Sequence, residues 1–313
     1  MLPPQILITG AGGFVGAALL RALERWPGAG VLATGRRPAR DTVWHRGGYA
    51  ELDVLDADAV ERAFEDFAPS LVVHLAAESR VEACETDRAG CWALNVDTVE
   101  TLASACHRHG ARLILMSSDM VFSGAGGPYA EDARPGPINA YGRTKLAAEN
   151  TLRTSRLQHW AIARTTLVYG RPAPGARGNL VSWLVRELSA GRPVRVVADQ
   201  RRTPTLDADL ADGLVRLIRY GKNGIYHLAG REWLSPFDTA LRVADAFGLD
   251  RTLVSPATTA AVHPDAPRPI LGGLLTLRAE SELGFRATPL DDALRALHAG
   301  WHAPSPSDRR RRA

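Results

Sequence analysis

Two side chains one helical turn apart carry the chemistry in this sequence. Tyr141 and Lys145 lie in Asn139-Ala140-Tyr141-Gly142-Arg143-Thr144-Lys145-Leu146-Ala147-Ala148-Glu149, a helical pattern. Four residues along a helix bring both to the same face. Such a pair suits the reduction of a ketone: as hydride reaches the carbonyl carbon, the oxygen takes a proton, and a phenol can supply it. An ordinary tyrosine ionises near pH 10, at about the value that makes it sluggish at neutrality. A fixed lysine cation favours the phenolate and lowers that value. Ser118 closes the strand pattern that precedes this helix and offers a hydroxyl to hold the substrate oxygen. Of 38 basic residues only Lys145 and Lys222 are lysines. Arg keeps its proton and spreads its charge over a planar fork. Lysine at 145 therefore marks a place where Arg would not serve.

The elements that position this trio start at the N-terminus. Ile6 to Thr9 reads as a strand, and Gly10, Gly13 and Gly16 follow at three-residue spacing. Phe14 and Val15 open an Ala- and Leu-rich helix. A glycine turn between a strand and a helix lets backbone approach a dinucleotide, with the pyrophosphate at Gly13 to Val15 on the helix N-terminus. The second strand, Val31 to Gly35, ends in Arg36-Arg37 with no acid, which suits the 2′-phosphate of NADP(H) better than the bare ribose of NAD(H). The competing reading is two solvated arginines.

Strand and helix patterns then alternate. Glu51 to Val54 precedes a helix from Asp56 to Phe67, and Leu71 to Ala77 is a continuous apolar strand. Small residues at its end, Ala76 and Ala77 after Leu75, leave room for a cofactor, and His74 reads as a core histidine. A long helix spans Asp87 to His109, a strand runs from Arg112 to Met116, and the Gly- and Pro-rich loop Ser123 to Pro137 is placed to cover a substrate. Ala161 to Val168 is the sixth strand. The expected fold is α/β, a Rossmann-type doubly wound parallel sheet with a smaller C-terminal α/β substrate lobe. The expected boundaries are 1–170 for the NADP-binding domain, with about 206–230 returning to it. Residues 171–205 and 231–303 form the substrate lobe, and 304–313, containing Arg309 to Arg312, a disordered basic tail.

Composition narrows the classes. Charged residues are 23% and hydrophobic residues 45%, as in an ordinary globular protein. A net charge of +4 is too mild to argue for nucleic acid. No apolar run reaches membrane-spanning length, and Met1 to Pro4 is too short for a signal peptide, so the cytoplasm is the expected compartment. Cys84, Cys91 and Cys106 form no metal-ligand spacing, no metal is expected, and reduced buried thiols are.

The glycine turn and the Tyr-Lys pair resemble the extended short-chain dehydrogenase/reductase family. Within it, Ser117 to Gly124, Gly127 to Asp132, Tyr141 to Glu149 and Asp199 to Thr205 are similar to the dTDP-4-dehydrorhamnose reductase group. That resemblance implies catalysis by Ser118, Tyr141 and Lys145. It implies cofactor contacts at Asp53 and Val54 after the third strand, although Asp53 also reads as a turn residue. It implies that Asn95 kinks its helix and holds a water near the lysine, the alternative being an Asn satisfied locally. Sugar contacts fall to Ser118 and Asp119, and the nucleotide-sugar pocket to Asn179. Met120 and Glu78 stand where the group has aromatic residues, and Arg201-Arg202 replace smaller ones. Arg177, Arg201 and Arg202 are candidates to hold a diphosphate. The expected reaction is NADPH-dependent reduction of a nucleotide-linked 4-keto-6-deoxysugar, by a possible homodimer. A dehydratase would carry a carboxylate after Asp119, where Met120 stands, and an epimerase would keep NAD. The regulatory subunit of methionine adenosyltransferase shares much of the pattern and is the non-catalytic alternative.

Overall fold

The computed structural model describes residues 3–36, 48–172 and 178–301. Arg37, Arg177 and the tail from residue 304, with Arg309 to Arg312, lie outside the described residues. The chain opens with β1 (Gln5–Thr9), α1 (Phe14–Leu23), β2 (Gly30–Gly35), β3 (Gly48–Glu51), α2 (Ala57–Phe67) and β4 (Leu71–His74). It continues through α3 (Val81–Thr86), α4 (Arg88–Trp92), a π-helical turn (Ala93–Asp97), α5 (Thr98–His109), β5 (Arg112–Ser118), α6 (Ala140–Thr154), β6 (Trp160–Thr165) and β7 (Val168–Tyr169). Then come α7 (Leu180–Ser189), β8 (Val194–Val197), β9 (Thr205–Leu206), α8 (Asp207–Tyr220), β10 (Gly224–His227), α9 (Pro236–Phe247), β11 (Val254–Ala257), α10 (Thr259–Val262), α11 (Leu277–Leu283) and α12 (Leu290–Trp301).

Seven strands form one sheet in the order β10-β6-β5-β4-β1-β2-β3, and every pairing in it is parallel. The chain leaves β1 in one direction towards β2 and β3 and returns beside β1 with β4. That reversal opens a crevice at the carboxyl ends of β1 and β4, where ligands bind in such sheets. One face of the sheet packs on α1, α8 and α11 through Leu19, Leu23, Leu214, Leu217 and Leu283. The other packs on α2, α5 and α6 through Phe64, Leu102, Cys106, Ala148 and Leu152. A separate core joins α7, α9 and α12 to β8 and β11, around Leu184, Val196, Val243 and Leu294.

Three expected elements are cut shorter. The strand expected through Ala77 stops at His74, because Leu75 and Ala76 turn towards Gly10 and Thr9. The helix expected over Asp87 to His109 is three pieces, with the π turn at Asn95 between them. The strand expected over Ala161 to Val168 ends at Thr165, and Val168-Tyr169 pairs with β9 instead. The loop Ser123 to Pro137 is tethered to residues 271–275 by backbone hydrogen bonds. Gly127 donates to Leu271 O and Tyr129 to Gly273 O, and Leu271 and Leu275 donate back to Gly124 O and Tyr129 O.

Candidate active site

The turn between β1 and α1 is built by close approach. Gly10 has φ +68°, and a Cβ there would lie 2.6 Å from Ala76 N. A Cβ on Gly16 would lie 2.6 Å from the carbonyl oxygens of Gly10 and Ala11. Only glycine lets β4 and α1 both press on this turn. Gly13 is the N-cap of α1 without a side-chain cap, and the first turn, with Phe14 and Val15, carries no acid. Its first N–H groups have no partner inside the helix, so they and the dipole suit an anion. A Cβ on Gly12 would meet nothing within 4 Å, so space lies open beside the turn. Leu75, Ala76 and Ala77 line the same crevice edge, all partly buried. Arg36 is exposed just past β2. Asp53 is exposed and accepts from Leu55 N at 3.1 Å, a turn contact, while Val54 is buried in the core.

Helix α6 presents the reactive pair. Asn139 caps it, accepting from Gly142 N at 2.7 Å, and Glu85 of α3 accepts from Ala140 N at 2.7 Å. Tyr141 is half-buried and beside Ser118 at the end of β5. Burial pushes its phenol up to about 12, against a hydrogen bond with the Ser118 side chain that favours ionisation. Lys145 is only 4% exposed. Burial pulls its ammonium down to about 8, and the carboxylate of Glu149 acts in the other direction. Glu149, one turn further on, is clasped by Arg164 at 2.8 and 2.6 Å and by Ser117 Oγ at 2.6 Å.

Beneath this helix, Asn95 accounts for its own kink. Its Nδ2 donates to Glu78 O and Thr144 Oγ1, both at 3.0 Å, and its Oδ1 accepts from Glu78 N at 2.9 Å. Local protein groups thus satisfy the side chain, and a π turn at such a residue is a common site device. His74 is fully enclosed: Thr9 Oγ1 donates to Nδ1 at 2.7 Å. Thr98 gives its proton to Leu94 O, so His74 Nε2 donates to Thr98 Oγ1 at 3.3 Å. Burial, then the nearby Lys145 charge, lower His74 to about 3, and it is a neutral core histidine.

The reduced thiols expected at Cys84 and Cys91 are corrected: the two form a disulfide between α3 and α4, and only Cys106 is free. The pair packs with Ala140 and Tyr141, behind the reactive helix. Arg202 is corrected as a diphosphate ligand. It is buried, donating to Arg201 O and Pro269 O, with Nε 3.5 Å from Asp119. Arg201 pairs with Asp238 at 2.6 Å. Asp119 is buried too, accepting from Thr166 Oγ1 at 2.7 Å and Gly273 N at 3.3 Å. Asn179 caps α7 and donates to Gly170 O at 2.9 Å.

Residues 4–300 match the family model described as the RmlD substrate binding domain. The chain belongs to the RmlD substrate binding domain family. A dTDP-4-dehydrorhamnose reductase of Streptomyces griseus is 35% identical over 275 residues, 85% of this chain and 84% of that protein. Methionine adenosyltransferase 2 subunit beta of Xenopus tropicalis is 32% identical over 272 residues, covering 85% and 78%. The crystal structure of dTDP-4-dehydrorhamnose reductase from Bacillus anthracis str. Ames in complex with NADP superposes with a TM-score of 0.83. It is 26% identical and covers 95% of this chain and 99% of that one.

In this RmlD-family chain several site residues escape a reading of the sequence. Glu149 follows Lys145 by one turn, so its spacing was visible, but its partner Arg164 lies on β6, beyond the end of the helix. Asn139 is a cap residue just before a helix, which is a usable signal. Arg268 and Glu82, an ion pair that ties the 267–269 segment to α3, carry no local pattern beyond the flanking Pro267 and Pro269.

Proposed function

We propose that the chain reduces the 4-keto group of a nucleotide-linked 4-keto-6-deoxysugar with NADPH, NADH being the alternative donor. The observation that carries this reading is Tyr141 beside Ser118, one turn before a buried Lys145, at the carboxyl ends of parallel strands. The chain is an NAD(P)-dependent oxidoreductase of the extended short-chain dehydrogenase/reductase family. The residues present fit a dinucleotide: Gly10, Gly13 and Gly16 make the cradle, the N–H groups at Phe14 and Val15 suit the pyrophosphate, and Arg36 suits a 2′-phosphate. Leu75, Ala76 and Ala77 edge the crevice. The two named dTDP-4-dehydrorhamnose reductases, one bound to NADP, support the choice of substrate and cofactor.

When bound, the reduced nicotinamide supplies hydride. Ser118 holds the carbonyl oxygen, and Tyr141 gives it the phenolic proton. Lys145 stabilises the phenolate left behind. Asn95 fixes the turn of α6 between them through Thr144. Asp119 acts from below, by orienting the end of β5, and Asn179 borders the nucleotide-sugar side.

Purified protein with NADPH and a dTDP-4-keto-6-deoxysugar should oxidise the cofactor and yield a 4-hydroxy sugar nucleotide. Tyr141→Phe should lower kcat by about a hundredfold or more. NADP(H) binding without turnover of any keto sugar nucleotide would instead favour a regulatory subunit, the reading that the methionine adenosyltransferase relative supports.

A further inference from the structure

The reduction leaves Arg268, a mostly buried cation, without a role. Arg268 sits between Pro267 and Pro269, with its side chain 12% exposed. Both neighbours are tied to the reactive elements. Asn139, the cap of α6, donates to Pro267 O at 2.9 Å. Arg202 donates to Pro269 O at 2.7 Å and faces Asp119, the residue after Ser118. Position 268 is thus held against the start of α6 on one side and the end of β5 on the other. The guanidinium pairs with Glu82 of α3, which also binds His263 Nδ1 at 3.1 Å. Glu82 is 50% exposed, so solvent screens it and it balances the arginine only in part. The Nε of Arg268 is buried with no hydrogen-bond partner among the described residues. Folds rarely carry such an orphaned donor, least of all on a charged group.

We propose that Arg268 is a positioning residue, a second cation that stabilises the charge on the Tyr141 oxygen as its proton leaves for the substrate. The inference rests on the reductase reading. In that reaction the O–H bond of Tyr141 breaks and an O–H bond forms on the substrate oxygen. The carbonyl carbon gains hydride from the nicotinamide, so negative charge appears transiently on the phenol alone. The charges that bear on Tyr141 are those of Asp119 at the end of β5, Glu78 after β4, and Arg268, beside the hydrogen bond with Ser118; Lys145 follows on its own helix. Ser118 and Arg268 pull the phenol towards ionisation, while Asp119 and Glu78 oppose it. Arg268 thereby acts against two carboxylates that make the phenol a poorer acid.

The test uses the full chain with a fluorinated tyrosine at position 141, whose lower ionisation is followed by 19F NMR. Arg268→Gln should move the midpoint up by about one pH unit, and Arg268→Lys should leave it within a few tenths. With a keto sugar nucleotide and NADPH, Arg268→Gln should lower kcat and leave KM nearly unchanged. Where Arg268→Gln does not fold, Glu82→Gln removes only a half-exposed partner and should move the midpoint down, because the cation is then unbalanced. An unmoved midpoint overturns the proposal even if turnover falls, since lost packing would not retune the phenol. The NMR arm needs no turnover, so it separates failure of this inference from failure of the reductase reading.

Discussion

The amide of Asn95 donates to the hydroxyl of Thr144 across 3.0 Å, and Thr144 in turn donates to the carbonyl of Tyr141 at 2.8 Å. The π turn is therefore joined to the turn of α6 that separates the phenol from the ammonium. The same amide clasps the backbone of Glu78 from both sides. Asn95→Ala leaves these buried groups unpaired and should cost about 1–3 kcal/mol in urea unfolding. It should also lower kcat, because the spacing of Tyr141 and Lys145 loses its support. Asn95→Asp keeps the acceptor for Glu78 N and should fall between. A variant as stable and active as the parent would sink this account.

Arg164 and Glu149 form a bidentate ion pair with both side chains essentially inaccessible. Removing one partner strands a buried charge. Arg164→Ala should therefore destabilise by roughly 3–5 kcal/mol, and Arg164→Met combined with Glu149→Leu by much less. A double-mutant cycle from denaturation midpoints measures the coupling. The pair also reaches Lys145, whose ammonium is held up by the Glu149 charge. Glu149→Gln should let Lys145 lose its proton at lower pH, drawing the alkaline loss of activity down from near pH 8. An alkaline limb that stays in place would break the link.

Acid should weaken the fold through two histidines. His74 and His227 are both lowered from 6.5 to about 3, chiefly by burial. His227 donates from Nδ1 to Leu275 O at 3.1 Å and meets Arg164 through Nε2 at 3.4 Å, so a second proton would face a cation. Between pH 6.5 and 3 the unfolded chain binds protons that the folded chain refuses. Stability from each neutral histidine is complete above 6.5 and falls as pH drops, by about 1.4 kcal/mol per pH unit. Relative to the parent, His227→Gln should flatten the acid limb of unfolding free energy by one such increment. Parallel limbs for the two proteins would show that His227 protonates freely in the folded state.

What the sequence made legible was local. The strand, glycine turn and helix at the start, and the helix with Tyr141 and Lys145, announce themselves because their periodicity and spacing are the physical cause of their form. The rest depends on residues far apart in the chain. The pattern from Asp87 to His109 is continuous, and it breaks only because Asn95 answers Glu78 and Thr144. Arg202 looked like a surface cation until Asp119 and the carbonyl of Pro269 enclosed it. The hydrogen bonds of Asp119 to Thr166 and Gly273, and of Asn179 to Gly170, likewise join residues that no local spacing brings together.

The disulfide between Cys84 and Cys91 can be counted directly. They lie seven positions apart, and the intervening turn brings α3 back against α4. Denatured but unreduced protein should expose one thiol, Cys106, and reduced protein three. Closing so short a loop restrains the unfolded chain by about 2–3 kcal/mol, so reductant should lower the unfolding midpoint by a matching amount. Cys84 also lies between Glu82, which holds Arg268, and Glu85, which holds Ala140 N at the start of α6. Loosening α3 should therefore reach the phenol, and the Cys84→Ser/Cys91→Ser pair should lower kcat more than it raises KM. Three thiols in the denatured, unreduced protein would overturn the bridge. An intact bridge whose removal leaves kcat untouched would confine it to stability.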